Sequence, residues 1–188
     1  MHHHHAHGHA PAGLTGSLIA DHETILTALD RLELRLGEMK RRGMVDVDTV
    51  NKFLIFARSF IDRCHHGKEE RCLFPCLERR GIPREGGPIG VMLYEHELGR
   101  KLVGELDGLL KSYSEGKSAP EVVFDKCEEY IKLLRQHIAK ENNVLFPAGE
   151  SVADSGDVRE VTECYEVIEG KEVGHEAHAE LERLAKEL

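Results

Sequence analysis

The sequence predicts an all-α protein: an antiparallel up-down-up-down four-helix bundle with an extra C-terminal helix. Three observations predict it. Chain-breaking residues are sparse and regularly spaced, at Gly43, from Gly81 to Pro88, from Gly116 to Pro120, and at Pro147-Ala148-Gly149. Between these breaks run four long segments rich in Leu, Glu, Lys and Arg, with little of the period-two alternation that marks strands. The connections are short, which favours antiparallel neighbours over crossovers.

Taken in order, the first helix is predicted over 17–42, with Leu18, His22, Ile25, Leu26 and Leu29 at helical spacing. The second covers 47–79, capped by Asp46 or Asp48, with Leu54, Ala57, Ile61 and His65 on its stripe. Pro88 opens a third over 88–115, carrying Ile89, Met92, His96, Val103 and Leu106. Pro120 opens a fourth over 119–146, carrying Tyr130, Leu134, His137, Val144 and Leu145. Phe74-Pro75 and Phe146-Pro147 mark a kink or a stop, because proline cannot continue the backbone ladder cleanly. Residues 148–160, with Gly, Ser and Asp, read as a loop; 161–169 as a short helix; and 171–187 as an amphipathic helix that packs on the bundle. The expected organisation is a tail over 1–14, the bundle over 15–148 and an extension over 149–188.

Composition excludes several classes. Lys plus Arg number 25 and Asp plus Glu 34, a net charge of -9, which argues against a nucleic-acid binder. The longest apolar run, Phe53 to Ala57, is too short to span a bilayer, and no signal peptide is expected at the start. Five cysteines with no CxxC pair read as reduced thiols in a cytoplasmic protein. The unusual count is histidine, at 13, with no tryptophan.

Six of those histidines fall in MHHHHAHGH, a purification tag or flexible tail, or else a metal-scavenging tail. Four others, His22, His65, His96 and His137, lie one per helix on the apolar stripes, so four imidazoles should face the interior. Burying that many polar rings costs several kcal/mol unless something pairs them, on the order of the penalty for unpaired polar groups.

An internal repeat locates their partners. HHGKEERCLFP (65–75) and HIAKENNVLFP (137–147) share His, Lys, Glu, Leu, Phe and Pro in register. The chain therefore reads as two helical hairpins, each with a lone His and then an HxxxE. The repeat selects His65/Glu69 over His66/Glu70 as the equivalent of His137/Glu141. An i, i+4 pair shares one face, so both side chains can reach one centre. Four imidazoles and two carboxylates are too many for one tetrahedral zinc and suit two bridged ions. With an added oxide or hydroxide bridge, each octahedral ion keeps one open position for a small ligand.

The anchors Asp21-His22-Glu23, HHGKEERCLFP, GGPIGVMLYEHELGR around His96, and HIAKENNVLFP together resemble the hemerythrin-like (HHE cation-binding) family. The resemblance implies a four-helix bundle holding two non-heme iron ions, replaceable by Mn or Zn, with a bridging oxide or hydroxide. It implies His22, His65, His96 and His137 as terminal ligands and Glu69 and Glu141 as bridges. The expected partner is a small diatomic ligand or peroxide, with no nucleic acid and no membrane. The sequence departs from the oxygen carriers of the family: Met92 and Arg100 stand where their HxxxH would place a second His around His96, and helix 4 has HxxxE where they have HxxxxD. The core is also similar to that of iron–sulfur cluster repair proteins, whose cysteine-bearing N-terminal segment is not found in this sequence.

The expected function is binding or reducing O2, peroxide or NO. A redox, oxygen or NO sensor, and a non-catalytic iron or zinc binder, are the alternatives. Around the site, His66 reads as solvent-facing or interhelical, and one of Glu70, Glu95 and Glu97 as a carboxylate partner of a bound imidazole. Cys64, Cys72 and Cys76 read as buried small hydrophobes, and His175 and His178 as surface polar groups.

Overall fold

The structure, a computed structural model, describes residues 13–188; the His-rich tract lies outside them. The described residues contain no strand. Helix α1 spans Gly16–Arg42 and stops at Gly43, whose positive φ of 66° closes the helix while its N–H bonds back to Lys40 and Met39. Asp46 caps α2, accepting from the Thr49 N–H, and α2 runs unbroken over 47–79. Helix α3 spans Pro88–Ser114. Helix α4 covers 120–152, α5 begins at Ser155 and continues to Gly174, and α6 spans His175–Glu187. Each of α1 and α3 packs on both α2 and α4, while α6 lies on α1 and α2. No described helix is long and apolar enough to cross a membrane.

Two sequence expectations are overturned here. Residues 148–160 are not a loop: α4 passes through Pro147 to Val152, and only 153–154 interrupt the helices. The extra turn is held by burial and by caps. Phe146 is buried, Gly149 lets the helix approach Leu77 and Leu14, and Glu150 accepts from the Thr15 N–H at 2.9 Å. Asp154 and Asp157 then form a reciprocal capping box that starts α5. Leu14, placed in the tail, is fully buried and its carbonyl accepts from the Tyr165 hydroxyl.

The cysteines are the second correction. Cys72 of α2 is joined to Cys164 of α5 by a disulfide, so they are not a set of reduced thiols, and the redox argument for a cytoplasmic setting loses its footing. The pairing was invisible because the partners stand 92 residues apart and show no spacing motif. Cys64, Cys76 and Cys127 are free and buried, and burial pushes the Cys64 and Cys127 thiols up to about 12.

Neither Phe-Pro pair stops its helix. A proline ring crowds the carbonyl four residues back, here Arg71 and Asn143. Both carbonyls lie in wide π turns, Glu69–Leu73 and Glu141–Leu145, where the Phe74 and Phe146 N–H groups bond to Glu69 and Glu141 five residues back. The wider turn gives the ring room. A third π stretch, Ala57–His66, precedes them in α2, and a fourth, Val167–Gly174, ends α5. The first three sit at the HxxxE segments, and such turns concentrate at functional sites.

Candidate metal centre

The two HxxxE segments and the lone histidines of α1 and α3 meet in the interior. His22, His65, Glu69, His96, His137 and Glu141 are all buried there. Their inward atoms are close: His22 Nε2 is 3.2 Å from Glu141 Oε1, and His65 Nε2 is 3.2 Å from Glu69 Oε1. His137 Nε2 is 3.1 Å from Glu141 Oε1, and His96 Nε2 is 3.5 Å from Glu69 Oε1. Two groups result, His22/His65/Glu69/Glu141 and His66/Glu69/His96/His137, each with one donor atom per residue within 4.8 Å of the others. Glu69 belongs to both.

Each imidazole is turned by an acceptor on its outer nitrogen. His22 Nδ1 donates to Asn142 Oδ1 at 2.7 Å and His65 Nδ1 to Asp21 at 3.0 Å. His137 Nδ1 donates to Glu95 at 3.0 Å, and His96 Nδ1 lies 3.3 Å from Glu70. These contacts obey the internal repeat. The residue before each lone histidine, Asp21 or Glu95, orients the HxxxE histidine of the same half. The residue after each HxxxE glutamate, Glu70 or Asn142, faces the lone histidine of the other half. Phe74 and Phe146, at equivalent repeat positions, stack beside His96 and His22. Thus two of the three flanking glutamates act on imidazoles, while Glu97 pairs with Arg100 at the surface.

The inward side of the cluster is poorly satisfied. His96 Nε2 and His137 Nε2 stand 3.2 Å apart, within hydrogen-bond distance of each other. His65 Nε2, both Glu69 oxygens and Glu141 Oε2 have no hydrogen-bond partner. Buried groups in that condition are costly, and a cation among them removes the cost. Burial holds the imidazoles of His66 and His96 below their ordinary value and that of His65 down to about 4, which keeps them neutral donors. His137 goes the other way, to about 9, because Glu141 and Glu95 outweigh its burial. Burial and the neighbouring Glu141 push Glu69 well up, whereas Glu141 stays well below the usual range, burial being outweighed by His137. Two facing carboxylates, one driven towards its acid form, are a site where a metal ion displaces protons.

His66 is buried, not solvent-facing, and is interhelical: its ring stacks on that of His96 with centroids 3.7 Å apart. The 3.6-residue stripe could not reveal this. In the wide turn Ala57–His66 each residue advances less around the axis, so His65 and His66 both face inward. The same change of register explains Val144, placed on the apolar stripe of α4 but 60% exposed.

His178 also departs from its expected surface position. It stacks on Phe60, pairs through Nε2 with Glu169 (3.1 Å) and through Nδ1 with Glu182 (2.8 Å), and flanks Asp21. His175 is exposed and pairs with Glu166. Tyr94 is exposed, whereas Tyr130 and Met92 are buried.

The family model of the hemerythrin HHE cation-binding domain matches residues 13–148. The iron-sulfur cluster repair protein YtfE of Salmonella schwarzengrund is 37% identical over 97 residues, covering 46% of this chain and 42% of that protein. YtfE of Salmonella typhimurium strain LT2 is 38% identical over 93 residues, with the same coverage. The chain spans less than half the length of these relatives. No solved structure matches it.

Proposed function

The chain belongs to the hemerythrin HHE cation-binding family, and from that premise we propose that it is a non-heme di-iron protein built as a four-helix bundle with a C-terminal helical cover. His22 and His65 would hold one ion and His96 and His137 the other, with Glu69 and Glu141 bridging; Mn or Zn would fit the same donors. Iron in such a site, with an oxide or hydroxide bridge, supplies redox-active open positions for O2, NO or peroxide. The chain's own part is positional. Asp21, Glu70, Glu95 and Asn142 fix which nitrogen of each ring faces inward, and the stacked phenylalanines exclude water.

The observation that carries this reading is the sharing of Glu69 between two four-residue donor groups, with His65 Nε2, both Glu69 oxygens and Glu141 Oε2 left without a hydrogen-bond partner. Metal analysis of the purified protein, with its visible spectrum, tests it. About two irons per chain with oxo-to-iron charge-transfer absorption are expected. One zinc per chain and no colour would refute it.

A second reading is favoured by the cross-links from the centre to the C-terminal cover. The Cys72–Cys164 disulfide begins one turn after Glu69, and Asp21 touches both His65 and the buried Lys68, which reaches Glu169 of α5. These ties suit a sensor of oxidation state, or a part in the iron-sulfur repair for which the relatives are named. Mixing the reduced protein with O2 in a stopped-flow instrument separates the readings: a lasting adduct fits a sensor, and rapid oxidation with peroxide turnover fits an enzyme.

A further inference from the structure

A second group of metal-ligating side chains lies outside the polar layer of the bundle. Cys64, Glu169 and His178 each offer one donor atom, and the three atoms lie within 4.8 Å of one another. They come from three helices: Cys64 from the π stretch of α2, Glu169 from the π turn that ends α5, and His178 from α6. Glu169 and His178 stand beyond residue 148, where the match to the hemerythrin HHE domain ends. The internal repeat has no counterpart for this group. Cys64 aligns with Gln136, which is exposed, whereas the stretch that holds Cys64 is packed under α5 and α6 and its thiol is buried.

His178 is set as a ligand histidine is set. Its Nδ1 lies 2.8 Å from Glu182 Oε1, one turn along α6, which fixes the ring. Its Nε2 is aimed into the group, 3.1 Å from Glu169 Oε1 and 3.8 Å from Asp21 Oδ1, yet this buried nitrogen makes a well-formed hydrogen bond to neither. An imidazole held by a carboxylate on its outer nitrogen and unsatisfied on its inner one matches a carboxylate–histidine–metal unit. The charges agree. Asp21, Glu169 and Glu182 bring three negative charges to His178, and Lys68, 2.7 Å from Asp21 and 3.0 Å from Glu169, brings one positive charge. Two negative charges remain, three once a thiolate joins them, so a divalent cation suits the site. Glu169 and His178 also line a surface cavity of about 190 Å³, which gives an ion and a water molecule access to them.

We propose that Cys64, Glu169 and His178 bind a divalent cation of the zinc class, which fastens the C-terminal cover to α2. A thiolate, an imidazole and a carboxylate are donors that zinc accepts in a tetrahedron, and water from the cavity would fill the fourth position. Sulfur among the donors separates this site from the interior one, whose imidazoles and carboxylates contain none. Bound metal takes the place of the proton that Asp21 and Glu169 otherwise hold on His178. The ion would tie together three helices and sit beside Asp21, the residue that orients His65. The inference does not depend on the di-iron reading.

The test titrates the full chain with zinc and records zinc X-ray absorption. A sulfur neighbour at about 2.3 Å is expected, and zinc in the interior would add only nitrogen and oxygen neighbours. Cys64→Ala should abolish the sulfur signal. Glu182→Gln should keep it but weaken zinc retention by about tenfold in a chelator competition, the scale seen when a supporting group is lost. Zinc should also slow hydrogen exchange of the α6 amides in the wild-type chain and leave it unchanged in Cys64→Ala. A wild-type zinc spectrum without sulfur overturns the inference even if no variant folds. A sulfur signal that survives in folded Cys64→Ala puts the metal on another cysteine and overturns it too, as does zinc binding that leaves α6 exchange unchanged. Failure of the interior to hold two irons does not alter the sulfur signal, so the two readings fail separately.

Discussion

Lys68 and Lys140 occupy the same place in the repeat, one residue before each HxxxE glutamate, and each neutralises the acceptor of an HxxxE histidine. Lys68 Nζ lies 2.7 Å from Asp21, 3.0 Å from Glu169 and 3.0 Å from Ser17, fully buried. Lys140 pairs with Glu95 while half-exposed. Burial opposes ionisation of both acceptors, but His178, His65 and Lys68 hold Asp21 well below the usual carboxylate range, and His137 and Lys140 lower Glu95. The same sequence position therefore has unequal energetic weight. Lys68→Met strands a buried carboxylate and is expected to cost about 3–5 kcal/mol of stability. Lys140→Met removes a screened pair and should cost less than ~1 kcal/mol. Urea unfolding of the two variants checks this, and equal losses would show that burial does not set the difference. The four inward rings and their two glutamates were legible in the sequence as a repeat, but the matching roles of Asp21 and Glu95 were not, because the repeat was aligned only over 65–75 and 137–147. His66 was not, because helical periodicity assigned it to the wrong face.

Among the elements, helix extents were readable where Gly43, Pro88 and Pro120 punctuate the chain, since each has a direct backbone consequence. They were not readable where a π turn absorbs a proline, as at Pro75 and Pro147, or where an acidic capping box at Asp154 restarts a helix in a polar stretch. The C-terminal cover illustrates the remaining gap: its amphipathic pattern predicted packing but not the ionic contact that His178 makes. Burial alone would lower the His178 imidazole, yet the carboxylates of Asp21 and Glu169 raise it to about 10. His178, first in order of effect, and Lys68 hold Glu169 down at about 2 against its burial. A raised histidine contributes stability that is complete below its unfolded value of 6.5 and is lost as pH rises through about 10. A lowered glutamate contributes stability that is complete above 4.5 and is lost as pH falls through about 2. Attachment of α6 is thus expected to be firmest between these limits and to weaken on the alkaline side first. Hydrogen exchange of the α6 amides across pH 6.5 to 10, corrected for intrinsic rates, measures it. His178→Ala should flatten the dependence; a wild-type profile already flat there would refute the assignment.

At the scale of the molecule, the polar cluster sits between two apolar masses. One is centred on Leu29, Phe53, Phe56 and Leu106, the other on Leu18, Phe74, Ile89 and Phe146. Every helix of the repeat contributes to the polar layer between them, so its energetics bear on all of the contacts at once. Two carboxylates and five imidazoles so placed repel or go unpartnered unless a cation binds, and ligand binding to the folded state alone raises stability by about 4 kcal/mol when free ligand is a thousandfold above its dissociation constant. Iron-loaded protein is therefore expected to melt well above protein stripped by a chelator, with protons released as metal binds. Replacing both proposed bridges, Glu69→Gln with Glu141→Gln, should remove the buried like charges together with the metal affinity. The double variant should then melt at one temperature with or without iron, no lower than stripped wild type, because its amides retain size and carry no charge. Calorimetry of the four samples decides the matter: a double variant still stabilised by iron would mean that the glutamates are not the bridges, and one that melts below stripped wild type would mean that their ionised form is itself holding the helices together.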